Sequence, residues 1–403
     1  MANNIKNTPE MWEQVDKEKL DKEVITRPSL TYWQDAWRRL KNNKLSLAGL
    51  VVIILMIIFA LFGQNLSNFS YSDQILRNSN IPPVIEIYEV NEGNYVYAHN
   101  EYVLFDVSEN GKIIKRLEPI NDNLDVMQNK RRVYEIDGQK VTLDFSFAME
   151  AKQSGDSDAT FFEIQKGDEV LKPHDKVWNK TYLFGSDGLG RDLLVRVVYG
   201  ARISLLIALV ATLVQFFIGV LYGSIAGYAG GRVDNIMMRI VDIIATIPLL
   251  LYVILLMVVL EPGLTTIMIA LGTVYWVRMA RIVRGEVLSL KEQEFVLAAR
   301  TLGASTWRIL GRHLVPNAMG PIIVSLAMMI PAAIFTEAFL SFIGLGVSAP
   351  AASWGTLANS AVKTLRSYPY QLFWPSLAIS LTVLAFNFVG DGLRDALDPK
   401  LRK

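Results

Sequence analysis

Residues 294–317 read E-F-V-L-A-A-R-T-L-G-A-S-T-W-R-I-L-G-R-H-L-V-P-N, a basic, partly polar segment with long apolar runs on both sides. Phe295, Ala298, Ala299 and Leu302 recur at i, i+3, i+4 and i+7, the spacing of one face of an amphipathic helix. Gly303 interrupts that helix where the chain must turn. Ser305 is placed to cap a second short helix, with Trp307, Leu310 and Leu314 on one side and Arg308 and Arg312 on another. Pro316 is expected to end this helix before the next apolar run. A helix–glycine–helix unit held between two hydrophobic stretches is suited to passing motion from a soluble partner to membrane helices.

Half of the 403 residues are apolar, and the mean hydropathy is +0.28. The apolar residues are gathered into runs, the signature of a polytopic membrane protein. The absence of cysteine excludes disulfides, thiolate metal sites and thiol catalysis. A net charge of +1 gives no argument for nucleic acid as a partner. Residues 1–44 are too long, polar and acidic for a cleaved signal peptide, so the first apolar run is expected to stay as an anchor. Within that cytoplasmic tail, Ser29–Lys41 sets Trp33, Trp37 and Leu40 on one helical face beside Arg38, Arg39 and Lys41, which suits a helix at the membrane surface.

Six runs read as spans: Leu45–Gly63, Ile203–Ala226, Ile240–Leu260, Leu264–Val277, Ala318–Gly344 and Leu372–Gly390. The fourth is short, but Arg278, Arg281 and Arg284 can continue its helix. With both termini in the cytoplasm, 17 lysines and arginines near the membrane fall inside and six outside. That bias obeys the positive-inside rule, although Arg191, Arg196 and Arg202 count against it. Residues 285–317 then form a cytoplasmic loop, and 391–403 a cytoplasmic tail.

Residues 64–183 differ sharply, with 20 acidic and 13 basic side chains, a net of −7. Short β-rich runs (Val84–Val90, Tyr95–Val107, Lys112–Leu117, Arg132–Ile136, Val141–Phe147, Thr160–Ile164) are separated by Asn110-Gly111, Asp137-Gly138 and Gly167-Asp168. The expectation is an extracytoplasmic β-rich insert between the first two spans, with a mobile loop at Ser154–Asp158.

Phe184–Leu205 reads F-G-S-D-G-L-G-R-D-L-L-V-R-V-V-Y-G-A-R-I-S-L: a tight turn at Gly188 and Gly190, then an outer interfacial helix ending near 202. Asp187, Gly190, Arg191, Asp192 and Tyr199-Gly200-Ala201-Arg202 resemble the pre-membrane signature of bacterial ABC importer permeases of the dipeptide/oligopeptide/nickel branch. Residues 294–317 resemble the coupling loop of that family, a Glu-Ala-Ala, three residues, Gly, hydrophobic-Pro pattern. Ala298, Ala299, Gly303 and Pro316 match it, whereas Leu297 stands at the position of the Glu. Glu294, three residues earlier on nearly the same face, is the candidate to take over its ionic contact. Ala338–Gly346 with Ser353-Trp354-Gly355, and Leu384–Leu401, look like the C-proximal subunit type. The resemblance covers residues 30–63 and 184–403 but not most of 64–183, which ordinary members lack.

The resemblance implies an all-α polytopic protein with six transmembrane helices in the type I ABC importer permease fold (a five-helix core at 203–390 after the first span), carrying the β-rich insert. It implies pairing with a second, homologous permease, two ATPase subunits that bind ATP-Mg, and an extracytoplasmic peptide-binding protein, in a bacterial cell membrane. The implied cargo is di- or oligopeptides, with nickel or another small solute as the alternative. No Walker A loop, zinc-protease motif or nucleophile elbow occurs, so the chain is read as a non-enzyme without a cofactor or metal. Gln215, Glu337, Ser341 and Asn387 are polar within spans, where they either line a path or bond between helices. Asp242 is expected to pair with Arg239. Two rival classes are an ion-coupled secondary transporter, for which Glu337 is the one good carboxylate, and a sensor or scaffold built around the insert.

Overall fold

The computed structural model describes residues 32–148 and 161–397. Most of the N-terminal tail, the Ser154–Asp158 loop and residues 398–403 lie outside the described residues. Tyr32–Asn42 (α1) is amphipathic, and its buried stripe is Ala36 and Leu40, packed on Ala396 and Leu397. Trp33 and Trp37 flank that stripe and stay exposed. Asn43 caps Lys44–Phe62 (α2) by accepting from the backbone N–H groups of Leu45 and Ser46.

The chain then builds the β-rich unit. One sheet has the order β4-β3-β2-β1-β9, from Val84–Asn91 (β1), Asn94–His99 (β2), Val103–Val107 (β3), Ile113–Arg116 (β4) and Asp175–Trp178 (β9). The other runs β5-β6-β7-β8, from Arg131–Ile136 (β5), Gln139–Asp144 (β6), Glu163–Lys166 (β7) and Glu169–Val170 (β8). A short helix, Asn123–Asn129 (α3), precedes β5. Strands β1–β3 are buried on both faces because their side chains alternate. Ile85, Ile87, Tyr97 and Phe105 face Ile81 and Tyr182 at the root. Tyr88, Val96 and Leu104 face Tyr134, Val141 and Leu143 of the second sheet. The expected Tyr95–Val107 strand is two strands, split by a turn in which Tyr102 takes φ +56°. Strand β9 escaped the sequence reading because its charged Asp175 and Lys176 are exposed, yet it pairs Trp178 with Val84 and closes the sheet at its root.

Among the described residues, five helices are long and apolar enough to cross a membrane, and a bent pair makes a sixth. Leu193–Ala229 (α4) is one helix of 37 residues, so the expected break between an interfacial helix ending at 202 and a span starting at 203 does not exist. The expected Ile240–Leu260 span is a pair, Gly231–Thr246 (α5) and Leu249–Leu260 (α6), bent by 83°. Pro248 causes this: it lacks an N–H and drives Ile247 out of the helical region, to ψ 119°. Leu264–Leu290 (α7) continues past Val277 through the three arginines, as their spacing allows. Gly219 and Gly223 bring α4 close to α7, and a Cβ at Gly223 would overlap the Ala280 carbonyl.

Glu294–Thr301 (α8) and Thr306–Ile309 (α9) follow, and the chain runs helically from Thr306 to Phe342. Pro316 therefore does not end a helix. A π turn at Leu310–Leu314, closed by Val315 N–H donating to the Leu310 carbonyl, absorbs the proline at the start of Val315–Phe342 (α10). Trp354–Val362 (α11) and Tyr370–Leu397 (α12) complete the chain, the latter passing the expected end at Gly390.

Candidate functional site

The helix–glycine–helix unit buries a different stripe from the expected one. Val296 and Ala299 of α8, with Ile309 and Leu314, pack on Val283 and Val287 of α7. Phe295, Ala298 and Leu302 face outward. Periodicity could not choose, because apolar residues occupy two neighbouring faces of α8. The outward set is large: Leu302 is 87% exposed and Trp307 66%, and Phe295 and Leu297 are exposed as well. Glu294, Arg308 and Arg312 are exposed on the same unit. Gly303 adopts φ +78°, the left-handed turn the sequence asked for, and its N–H donates to the Arg300 carbonyl at 2.9 Å. Ser305 has the extended backbone of a cap, but its side chain makes no capping bond.

Behind the unit, α7 is tied to its neighbours. Arg284 forks onto Asp234 with bonds of 2.5 and 2.7 Å, and Lys291 donates to the Gly227 carbonyl at 3.1 Å. The Arg300 guanidinium lies 5.3 Å from the Tyr228 ring centre. Trp307 covers a cavity of about 390 Å³ lined by Phe216, Phe217 and Leu310. The Asp234–Arg284 pair was missed, because each helix offers several charges (Arg232, Asp234, Arg239 and Asp242 on α5; Arg278, Arg281, Arg284 and Glu286 on α7) and the sequence does not say which of them meet. Asp242 pairs with Arg281 at 2.8 Å, in place of the expected Arg239.

At the opposite end of α4, the signature residues build a turn. Asp187 accepts from the backbone of Leu189 and Arg191 through one oxygen, and from Arg191 Nε (2.7 Å) and Arg196 (2.6 Å) through the other. Gly190 needs φ +69°, and a Cβ there would overlap the Ile75 carbonyl. Asp192 caps α4 through Leu194 N–H and accepts from Ser67. Burial pushes its carboxyl above the usual range, while those bonds pull the other way. Arg202 reaches across to α2, donating to the carbonyls of Ala60 and Leu61 and to Gln64.

Glu337 and Ser341 come together in a buried knot. The Glu337 carboxylate is 0% exposed and accepts from Ser204 of α4 at 2.7 Å and Ser341 at 2.8 Å. Ser341 in turn meets Ser353, the cap of α11, at 3.1 Å. Trp354 donates its indole N–H to the Val197 carbonyl, and a Cβ at Gly355 would overlap the Ala338 carbonyl. Ser204 was not foreseen, since a serine in an apolar run carries no signal alone, and Ser353 stands out in the sequence only as part of Ser353-Trp354-Gly355. Gln215 is buried with neither amide atom bonded. Asn387 is exposed on α12 and joins none of these groups.

The profile of a family described as the binding-protein-dependent transport system inner membrane component matches residues 219–403. A second, the N-terminal TM domain of oligopeptide transport permease C, matches residues 31–83. The chain is 41% identical to the dipeptide transport system permease protein DppC of Bacillus subtilis over 397 residues, covering 98% of this chain and 94% of that one. The oligopeptide transport system permease protein OppC of Escherichia coli K12 is 47% identical over 221 residues, 55% of this chain and 73% of its own. The match to the Bacillus protein takes in the β-rich unit, so that unit is shared by some relatives. The inward-facing MetNI methionine ABC transporter has a chain 19% identical at a TM-score of 0.41, covering 51% of this chain and 96% of that one.

Proposed function

Because the chain belongs to the binding-protein-dependent inner-membrane permeases of dipeptide and oligopeptide transport, we propose that its α8–α9 unit is the surface on which an ATPase partner docks to drive peptide import. The observation that carries this is the exposed apolar set Phe295, Leu297, Leu302 and Trp307, on a turn packed against α7, which Arg284 and Lys291 in turn fasten to α5 and α4. Exposed apolar surface of this kind marks a partner site, and a turn packed on α7 through Val296, Ala299 and Ile309 is placed to move with it. ATP-Mg would be bound and hydrolysed by the partner, and cargo would cross without chemical change. The printed activities of the relatives favour peptides over nickel.

The distribution of lysine and arginine supports a cytoplasmic position for this unit and for both termini. The β-rich unit then lies outside. Met328, Ala332, Phe335, Phe339 and Phe342 are exposed along one side of α10 at heptad-like spacing, suited to a second permease and the path between the two, in the type I arrangement. The ion-coupled alternative is weakened by Glu337, whose carboxylate is enclosed by hydroxyls.

Leu302→Asp should abolish recovery of ATPase subunits with the purified chain, because a charge replaces the most exposed apolar contact. Glu294→Gln should weaken that recovery at low salt only, the mark of an interface charge. Recovery of ATPase with Leu302→Asp at the normal level would place docking elsewhere.

The β-rich unit, by the same reading, helps seat the substrate-loaded binding protein. Val84 and Trp178 are paired neighbours, so residues 84–178 can be replaced by a short Gly/Ser linker without pulling α2 and α4 apart. Weaker capture of the binding protein, with ATPase assembly unchanged, is expected. Normal uptake at limiting binding-protein concentration would remove this role.

A further inference from the structure

We propose that the groove between α2, α4, α10 and α12 is a site for an anionic phospholipid, with one acyl chain along the helices and the phosphate on Arg202. The groove has a volume of about 380 Å³ and is lined by Ile57, Leu61, Leu206, Leu209, Ile330 and Phe386. Arg202 is the one charged residue in that lining. The helices around the groove are those that cross the membrane, so acyl chains are the solvent on this face.

The chemistry at the mouth is unfinished. A guanidinium has five N–H donors. Arg202 gives one to the Ala60 carbonyl, one to the Leu61 carbonyl and one to the Gln64 amide oxygen. Two donors remain, and among the described residues no carboxylate pairs with this arginine. A cation at the edge of an apolar span is costly without an anion, and a phosphate meets a guanidinium fork in two parallel bonds. Depth agrees with a headgroup position. Arg202 lies at the last turn of α2, and one turn away on α4 Tyr199 stacks on Tyr71 of the loop after α2, ring centres 4.0 Å apart. Tyrosines gather at that level of a bilayer.

The test uses the full-length chain in detergent, exposed to phosphatidylcholine vesicles doped with phosphatidylglycerol and then counted for retained lipid by native mass spectrometry. One phosphatidylglycerol per chain is expected. Arg202→Gln should lower its retention by about tenfold, the loss of a charge-assisted pair of bonds. Since Arg202 also braces α2, Leu206→Trp gives a second reading: it fills the groove from an exposed position and leaves those bonds intact, and it should lower retention as well. Leu255→Trp, exposed on α6, should leave retention unchanged. Equal retention of phosphatidylcholine or unchanged retention in Leu206→Trp would each overturn the site. So would loss of the lipid on assembly with a second permease, which would then be the groove's occupant.

Discussion

A Gly303→Pro chain should reach the membrane at normal levels and lose peptide uptake by about tenfold or more. The native turn needs φ +78°, whereas proline is locked near −65° and cannot donate to the Arg300 carbonyl. Nothing lies within 4 Å of a Cβ at this position, so crowding is not the cause. Gly303→Ala isolates the backbone preference, at about 1 kcal/mol of strain, and should fall between the two. Uptake by vesicles reconstituted with the partner subunits, alongside surface labelling to count inserted chain, reads both effects. Full-rate transport by Gly303→Pro would mean that the α8–α9 turn does not transmit motion.

Glu337→Leu should destabilise the chain by about 3 kcal/mol, with Glu337→Gln much milder. Leucine removes the acceptor for two buried hydroxyls, Ser204 and Ser341, and disturbs the Ser341–Ser353 contact. Each hydroxyl left unsatisfied costs about 1–3 kcal/mol, and there is no water at this depth to replace the bond. Glutamine keeps an acceptor oxygen in place. Thermal unfolding in detergent compares them. A Leu variant as stable as the parent would show that the serines find other partners, and that the knot joining α4, α10 and α11 is dispensable.

Five of the hydrophobic runs were legible because membrane solvent imposes an unambiguous demand on long stretches, whereas the run at Ile240–Leu260 is the pair bent at Pro248. Their ends were less so. Asp192 and Arg202 read as an interfacial segment, yet α4 runs straight through Arg202, whose side chain reaches the carbonyls of α2, a contact across 142 positions of sequence. Pro316 read as a stop, and a π turn overrode it. Gly303 was read correctly because its conformation is set locally. The exposed face of α8 was not, because the choice between two apolar faces is made by Val283 and Val287, which lie on another helix. The polar knot stayed hidden for the same reason: its members come from three helices.

Helix α4 runs unbroken for 37 residues, about 55 Å at the usual rise. Its first turn is fastened by Asp192 to Ser67, in the loop that leads from α2 to the β-rich unit, and its last by Gly227 to Lys291, at the end of α7 beside the α8–α9 unit. Such a rod acts as a lever with a load at each end. A tilt of about five degrees about its middle would carry both ends some 2 Å in opposite directions, an estimate from helix length alone. Events at the two faces of the membrane are therefore geared together by one rigid element, and a swing imposed at either end must be felt at the other.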